Sequence, residues 1–143
     1  ADRRRVEPGH FELVSPEKLL ISRQVDMVVV PGEEGDFGVL PGHASVISGL
    51  RDWVLEIHDG GEVSDRLFLS RGFAEVTPER CTVLAEEALL LSDIDSAGAE
   101  ASVTRAERAL EDAGDDEARA EAETKLTRAQ ALVEALSYFK TGV

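Results

Sequence analysis

All five prolines of this 143-residue chain, Pro8, Pro16, Pro31, Pro41 and Pro78, lie before residue 79, while 12 of the 48 residues from Ser96 onward are alanine. Nine of its twelve glycines precede residue 73. Proline and glycine punctuate short strands, whereas alanine is the best helix former. The chain therefore reads as two architectures joined end to end. The boundary falls near Ser92–Ser96.

The first part predicts short strands separated by turns. Runs at Phe11–Leu13, Lys18–Val25 and Met27–Val30 come first, the last stopped by Pro31-Gly32. Trp53–His58 alternates, with Trp53, Leu55 and Ile57 on one face, and Asp59-Gly60-Gly61 signals a tight hairpin. Glu62–Ser70, Phe73–Val76, Arg80–Ala85 and Glu87–Leu91 complete the set. Strands at this spacing favour a sandwich or barrel over βαβ units.

The second part predicts two helices. Asp93, Asp95 and Ser96 offer N-cap oxygens before the stripe Val103, Ala106, Leu110 and Ala113. Gly114 suits a left-handed helix end, and Asp115 or Asp116 can cap the second stripe: Ala118, Ala122, Leu126, Ala129, Val133 and Leu136. So short a connection makes the helices antiparallel neighbours.

With 15 basic and 29 acidic side chains the formal net charge is −14, which argues against nucleic acid as a partner. Cys81 is the single cysteine, so no internal disulfide forms. No run approaches the length of a membrane-spanning helix. Arg3, Arg4 and Arg5 lead into Val6-Glu7-Pro8-Gly9-His10, where a signal peptide would need an apolar core.

The densest cluster is Gly32-Glu33-Glu34-Gly35-Asp36-Phe37-Gly38-Val39-Leu40-Pro41-Gly42-His43-Ala44. Its glycines suggest a phosphate cradle, but three carboxylates would sit beside the phosphates, and no phosphate-loop lysine follows. It reads instead as a structured turn with an acidic edge. His10, His43 and His58 lack zinc-ligand spacing. Cys81 alternates with Val83 and reads as a small core residue. Glu86-Glu87 reads as a solvated hairpin turn. No acid, base and nucleophile converge, so the residues predict no catalytic site, no metal and no cofactor. The helical part carries six basic against ten acidic side chains, a solvated mixed-charge face with pairs such as Glu121–Lys125.

The order of these parts resembles the epsilon subunit of F-type ATP synthase from about Phe11 onward. Gly35-Asp36-Phe37-Gly38-Val39-Leu40-Pro41-Gly42-His43-Ala44 carries the resemblance most specifically, supported by Val83-Leu84-Ala85 before Asp93-Ile94-Asp95. The resemblance implies a β + α fold, an N-terminal ten-stranded β-sandwich over 1–93 followed by an antiparallel α-helical hairpin over 94–143. It implies a non-catalytic rotor subunit of the central stalk. That subunit binds gamma and the c-ring through the sandwich and couples proton translocation to ATP synthesis. Glu34 and Asp36 then meet the c-ring, and Ser15, His43 and Ser48 face gamma. An acidic turn also suits a basic partner loop.

Family members hold the hairpin folded or extend it toward the alpha and beta subunits, restraining ATP hydrolysis; a chiefly regulatory role is the alternative. Some bind ATP through an Ile/Leu-Asp-x-x-Arg-Ala motif. The matching positions here are Ile94, Asp95, Gly98 and Ala99, with Gly98 in place of the arginine. Without that guanidinium, and with Glu86, Glu87, Asp93 and Asp95 nearby in sequence, weak or no ATP binding is expected. The expected location is peripheral, on the cytoplasmic side of a bacterial inner membrane and without direct membrane insertion. The alternative is the mitochondrial matrix or chloroplast stroma.

Overall fold

A computed structural model describes residues 9–140; the arginines at positions 3–5 lie outside the described residues. The chain forms β1 (Gly9–Val14), β2 (Leu19–Val25), β3 (Met27–Gly32), β4 (Gly35–Val39), β5 (Val46–Gly49), β6 (Trp53–Asp59), β7 (Glu62–Val76) and β8 (Arg80–Leu90). A 3-10 turn at Leu91–Asp93 precedes α1 (Ser96–Asp112) and α2 (Asp116–Lys140). Two compact units divide between Leu90 and Leu91.

The strands form one continuous ladder in the order β2-β1-β8-β7-β6-β3-β4, with β5 added on β7. All pairings are antiparallel except β1 with β8. The first half of β7 pairs with β6, and its last residues, Phe73–Val76, pair with β5. β8 accompanies β7 along both halves, and its own first half takes β1 as the second neighbour. The ladder therefore belongs to two layers, with β7 and β8 running through both. Eight strands form among the described residues rather than the ten expected. The reason is continuity: 62–70 and 73–76 are one strand, as are 80–85 and 87–90, because neither break carries a turn.

Glu86 and Glu87 accordingly lie inside β8 and not in a hairpin turn, with Glu87 registered against Ser70. β4 forms inside the segment that reads as a structured turn, and β5 where no strand is predicted. The Asp59-Gly60-Gly61 hairpin forms as expected. Gly60 and Gly61 have φ of 63° and 83°, the paired positive angles that a two-residue hairpin turn requires.

The core draws on both layers. Val28, Val30, Leu55, Ile57, Leu67 and Leu69 meet Phe11, Leu13, Val25, Ala74, Val76, Val83 and Ala85 in one buried cluster. Each larger side chain contributes about 1.5–3 kcal/mol on burial. Phe11 and Leu13, two residues apart on β1, are both fully buried, which is the period-two pattern of a strand with one covered face.

In the helical unit, Asp95 is the N-cap of α1, its carboxylate accepting from the Gly98 amide at 3.2 Å. Asp115 does the same for α2, accepting from Ala118 N at 2.7 Å. α1 and α2 pack together. Ala106, Ala122, Ala129 and Leu136 of the expected stripes are buried, but Ala118 is exposed. Gly114 is not the left-handed residue expected; Ala113 ends α1 in extended conformation, and its amide donates to Leu110 O. Lys125 and Glu121 pair at 3.4 Å.

Candidate functional site

The acidic segment closes β3 onto β4 around Glu33-Glu34, with Gly32 opposite Gly35. A Cβ on Gly32 would lie 2.9 Å from both Gly35 O and Phe37 Cε1, so only glycine fits this tight return. Downstream, His43 N donates to Leu40 O at 3.1 Å and Gly42 has φ of 85°. Proline then glycine at the two central positions is the type II signature. This turn swings the chain into β5, which returns beside β3: Glu33 N donates to Gly49 O at 2.9 Å, and Leu50 bridges to Gly32.

Between the acidic turn and β5 lies a groove of about 440 Å³, lined by Glu33, Glu34, Phe37, His43, Ile47, Ser48 and neighbours. The structure thus brings Glu34, His43 and Ser48 to one feature. Glu34 is exposed on the turn. The His43 ring stands 6.5 Å from that of Phe37, and its Nδ1 lies 2.7 Å from Ala44 O. Ser48 Oγ donates to its neighbour's carbonyl at 2.9 Å.

Asp36 does not line this groove. Its Oδ1 accepts from Arg51 Nη2 at 2.6 Å, so one of the three acids is already paired. Arg51 went unnoticed in the sequence because fifteen residues separate the partners. Ser15 also sits elsewhere, in the β1–β2 turn, where its amide and hydroxyl both meet Lys18 O.

The pairing register reveals a surface that the sequence did not. Gly49 pairs with Phe73, Phe73 with Leu84, Leu84 with Val14, and Val14 with Leu19. Directly paired residues share a face, so Phe73, Leu84, Val14 and Leu19 form an apolar row across four strands. Phe73 is 44% and Leu19 55% exposed, while Ile47 on β5, 71% exposed, pairs with Glu75 in the adjacent row. The next row is polar: Glu75, Thr82, Glu12 and Ser22. Glu12 there is held by Arg80 at 3.4 Å and His10 at 3.3 Å. Ser15 follows directly on Val14, in the turn that joins β1 to β2. A contiguous apolar strip with a polar rim marks an interaction surface.

Elsewhere, Glu56 is bound by Arg66 Nε at 2.8 Å and lies 3.2 Å from His58 Nε2. Burial pushes its carboxyl up, but the hydrogen bonds and charges of Arg66 and His58 outweigh this and hold it below the usual 4.5. Cys81 is buried as expected, and burial raises its thiol to about 12. At the ATP-motif positions, the Asp95 carboxylate is engaged with the Gly98 amide, Ile94 is half-buried and Ala99 is buried. No group of metal-binding side chains occurs among the described residues. No helix among them is long and apolar enough to cross a membrane.

Residues 9–90 match the family described as ATP synthase, Delta/Epsilon chain, beta-sandwich domain. The ATP synthase epsilon chain of Paramagnetospirillum magneticum is 51% identical over 131 residues, covering 92% of this chain and 98% of the relative. That of Rhodospirillum rubrum is 45% identical over 136 residues, 95% and 98% of the two chains. Among solved structures, a chain of the Euglena gracilis mitochondrial ATP synthase (OSCP/F1/c-ring) aligns with a TM-score of 0.76 at 27% identity, covering 90% of this chain and 81% of that one. A chain from the Tetrahymena thermophila central stalk and c-ring aligns at 0.64 and 12% identity over 90% of this chain and 96% of that one, a likeness of fold.

Proposed function

The chain belongs to the ATP synthase epsilon-chain family, and from that membership we propose that it is a non-catalytic subunit of the central stalk, joining gamma to the c-ring. It thereby couples proton translocation to ATP synthesis. In this reading residues 1–93 carry both contacts and 94–143 form the hairpin. The complex holds the chain at a membrane surface, on the cytoplasmic side in a bacterium or the matrix or stromal side in an organelle.

The apolar row Phe73-Leu84-Val14-Leu19 is the observation that carries the gamma contact. Four strands at about 4.8 Å spacing give it a span near 15 Å, and Ser15 follows its Val14 in the chain. Ser48 and His43 lie beside the adjoining groove. Glu34 and Asp36 on the β3–β4 turn supply negative charge for the polar loops of the c-ring. A lysine at Phe73 places a charge in the row without filling the core. Calorimetric titration of the full chain with cognate gamma should show binding that Phe73→Lys weakens by about tenfold or more and Asp36→Asn leaves unchanged. Wild-type affinity in Phe73→Lys would remove the row from the interface. No binding by the wild-type chain would remove the stalk role.

A regulatory role is the second reading, supported by the hairpin forming a compact unit of its own. It would act through the alpha and beta subunits. Ending the chain after Asp95 should then raise ATP hydrolysis by the assembled enzyme; an unchanged rate would sink this reading. Nucleotide is expected to play little part, because Gly98 supplies no side-chain cation and Asp95 is committed to capping α1.

A further inference from the structure

Arg51 reaches both sides of the acidic turn. Its backbone amide donates to Pro31 O at 3.0 Å, which lays the residue against the end of β3. From there Nη1 donates to Gly32 O at 2.7 Å, while Nη2 donates to Asp36 Oδ1 at 2.6 Å. Gly32 ends β3 and Asp36 lies in β4, so one planar cation spans the two strands that the turn joins. The pair is partly open to solvent, with side chains 35% and 45% exposed. Its Coulomb energy is therefore modest. Its geometric effect is larger, because the fork has fixed directions. Oδ1 is taken, and Oδ2 has no partner among the described residues. The carboxylate is thus a single-sided acceptor with its direction set from behind.

We propose that Arg51 is a positioning residue that orients Asp36 for a partner's cationic loop, so that recognition at this turn depends on the guanidinium fork and not on its charge alone. The proposal rests on the reading that the turn meets the c-ring. A lysine would keep the positive charge, but one ammonium on a flexible stem cannot reproduce two parallel donors to Gly32 O and Asp36. Arg51→Lys therefore separates orientation from charge. Arg51→Gln removes both and also unmasks the full negative charge of Asp36.

The experiment uses the full chain bound to cognate gamma, titrated against purified c-ring in nanodiscs. Arg51→Lys, Arg51→Gln, Asp36→Asn and the double variant Arg51→Lys/Asp36→Asn are compared, with thermal melting as the folding control. Arg51→Lys is expected to lose about tenfold in c-ring affinity, the scale of one charge-assisted hydrogen bond. Amide exchange at residues 33–37 should rise in the same variant while melting stays near wild type. The double variant should bind no worse than Asp36→Asn alone, since Arg51 acts through Asp36. Wild-type affinity in Arg51→Lys, with Asp36→Asn weakened, overturns the proposal and leaves the c-ring reading standing. Wild-type affinity in Asp36→Asn overturns the c-ring reading itself. Should Arg51→Gln fail to fold, Arg51→Lys and its exchange profile decide the matter.

Discussion

Gly72 of β7 passes so close to Leu84 of β8 that a Cβ built on it would overlap the Leu84 carbonyl oxygen. The preceding residue, Arg71, has φ of 53°, a left-handed conformation outside glycine. Together they mark where β7 leaves its ladder with β6 and takes up β5. Leu50 N donates to Gly72 O at 3.0 Å, tying the approach to β6 into the same point.

Gly72→Ala should therefore destabilise the sandwich by about 3 kcal/mol or more, since the clash is with backbone that cannot rotate away. Gly98 offers the contrast. A Cβ there would approach only the Asp95 side chain, at 3.7 Å. Gly98→Ala should stabilise α1 by up to about 1 kcal/mol. Urea unfolding of the sandwich and amide exchange across α1 read the two separately, and effects of equal sign would contradict the assignment.

The Glu56 carboxyl lies below its ordinary 4.5 in the folded chain. A depressed carboxyl contributes stability that is complete above the unfolded value and is lost as pH falls through the folded one. The wild-type chain should accordingly lose stability below about pH 4.5 more steeply than Arg66→Gln, which lacks the main hydrogen bond. Melting curves from about pH 7 to about pH 3 test this; parallel pH profiles would show that the pair does not shift the carboxyl.

Cys81 should be inert in the native state. With its thiol raised to about 12, thiolate is scarce near neutrality, and burial shields the sulfur. Iodoacetamide should label it at the rate of global opening, speeding up with urea. Rapid urea-independent labelling would contradict its place between the layers.

Asp95→Ala should cost about 1 kcal/mol of α1 stability through loss of the N-cap. Equilibrium dialysis should show weak ATP binding both before and after the change. A wild-type affinity in the micromolar range, lost in Asp95→Ala, would restore the nucleotide site that Gly98 is taken to disable.

Much of this fold was legible locally. Asp59-Gly60-Gly61 named its hairpin because two adjacent positive φ angles need such residues, and the structure took Asp95 and Asp115 from the few cap candidates at each helix start. β4 was hidden by its glycines, since Gly35 opens it and Gly38 lies inside it, leaving only Phe37 and Val39 as apolar positions. β5 was hidden by brevity: four residues, held by β7 and by the return beside β3, which no local pattern reports. β7 runs unbroken through Arg71-Gly72, where close approach to Leu84 and not apolar alternation dictates the residues.

The candidate site divides in the same way. Sequence alone determined the two-part architecture, the acidic turn and the family, because these depend on backbone preferences and on residue order. Tertiary structure decided that Glu34, His43 and Ser48 share a groove, that Arg51 claims Asp36, and that Val14, Leu19, Phe73 and Leu84 align into one strip. Those relationships depend on strand register, and register is fixed when two faces are buried against each other. A shift of one residue would send the strip into the core and the core into water. The information is carried by the packed sandwich as a whole, and no single stretch of the chain displays it.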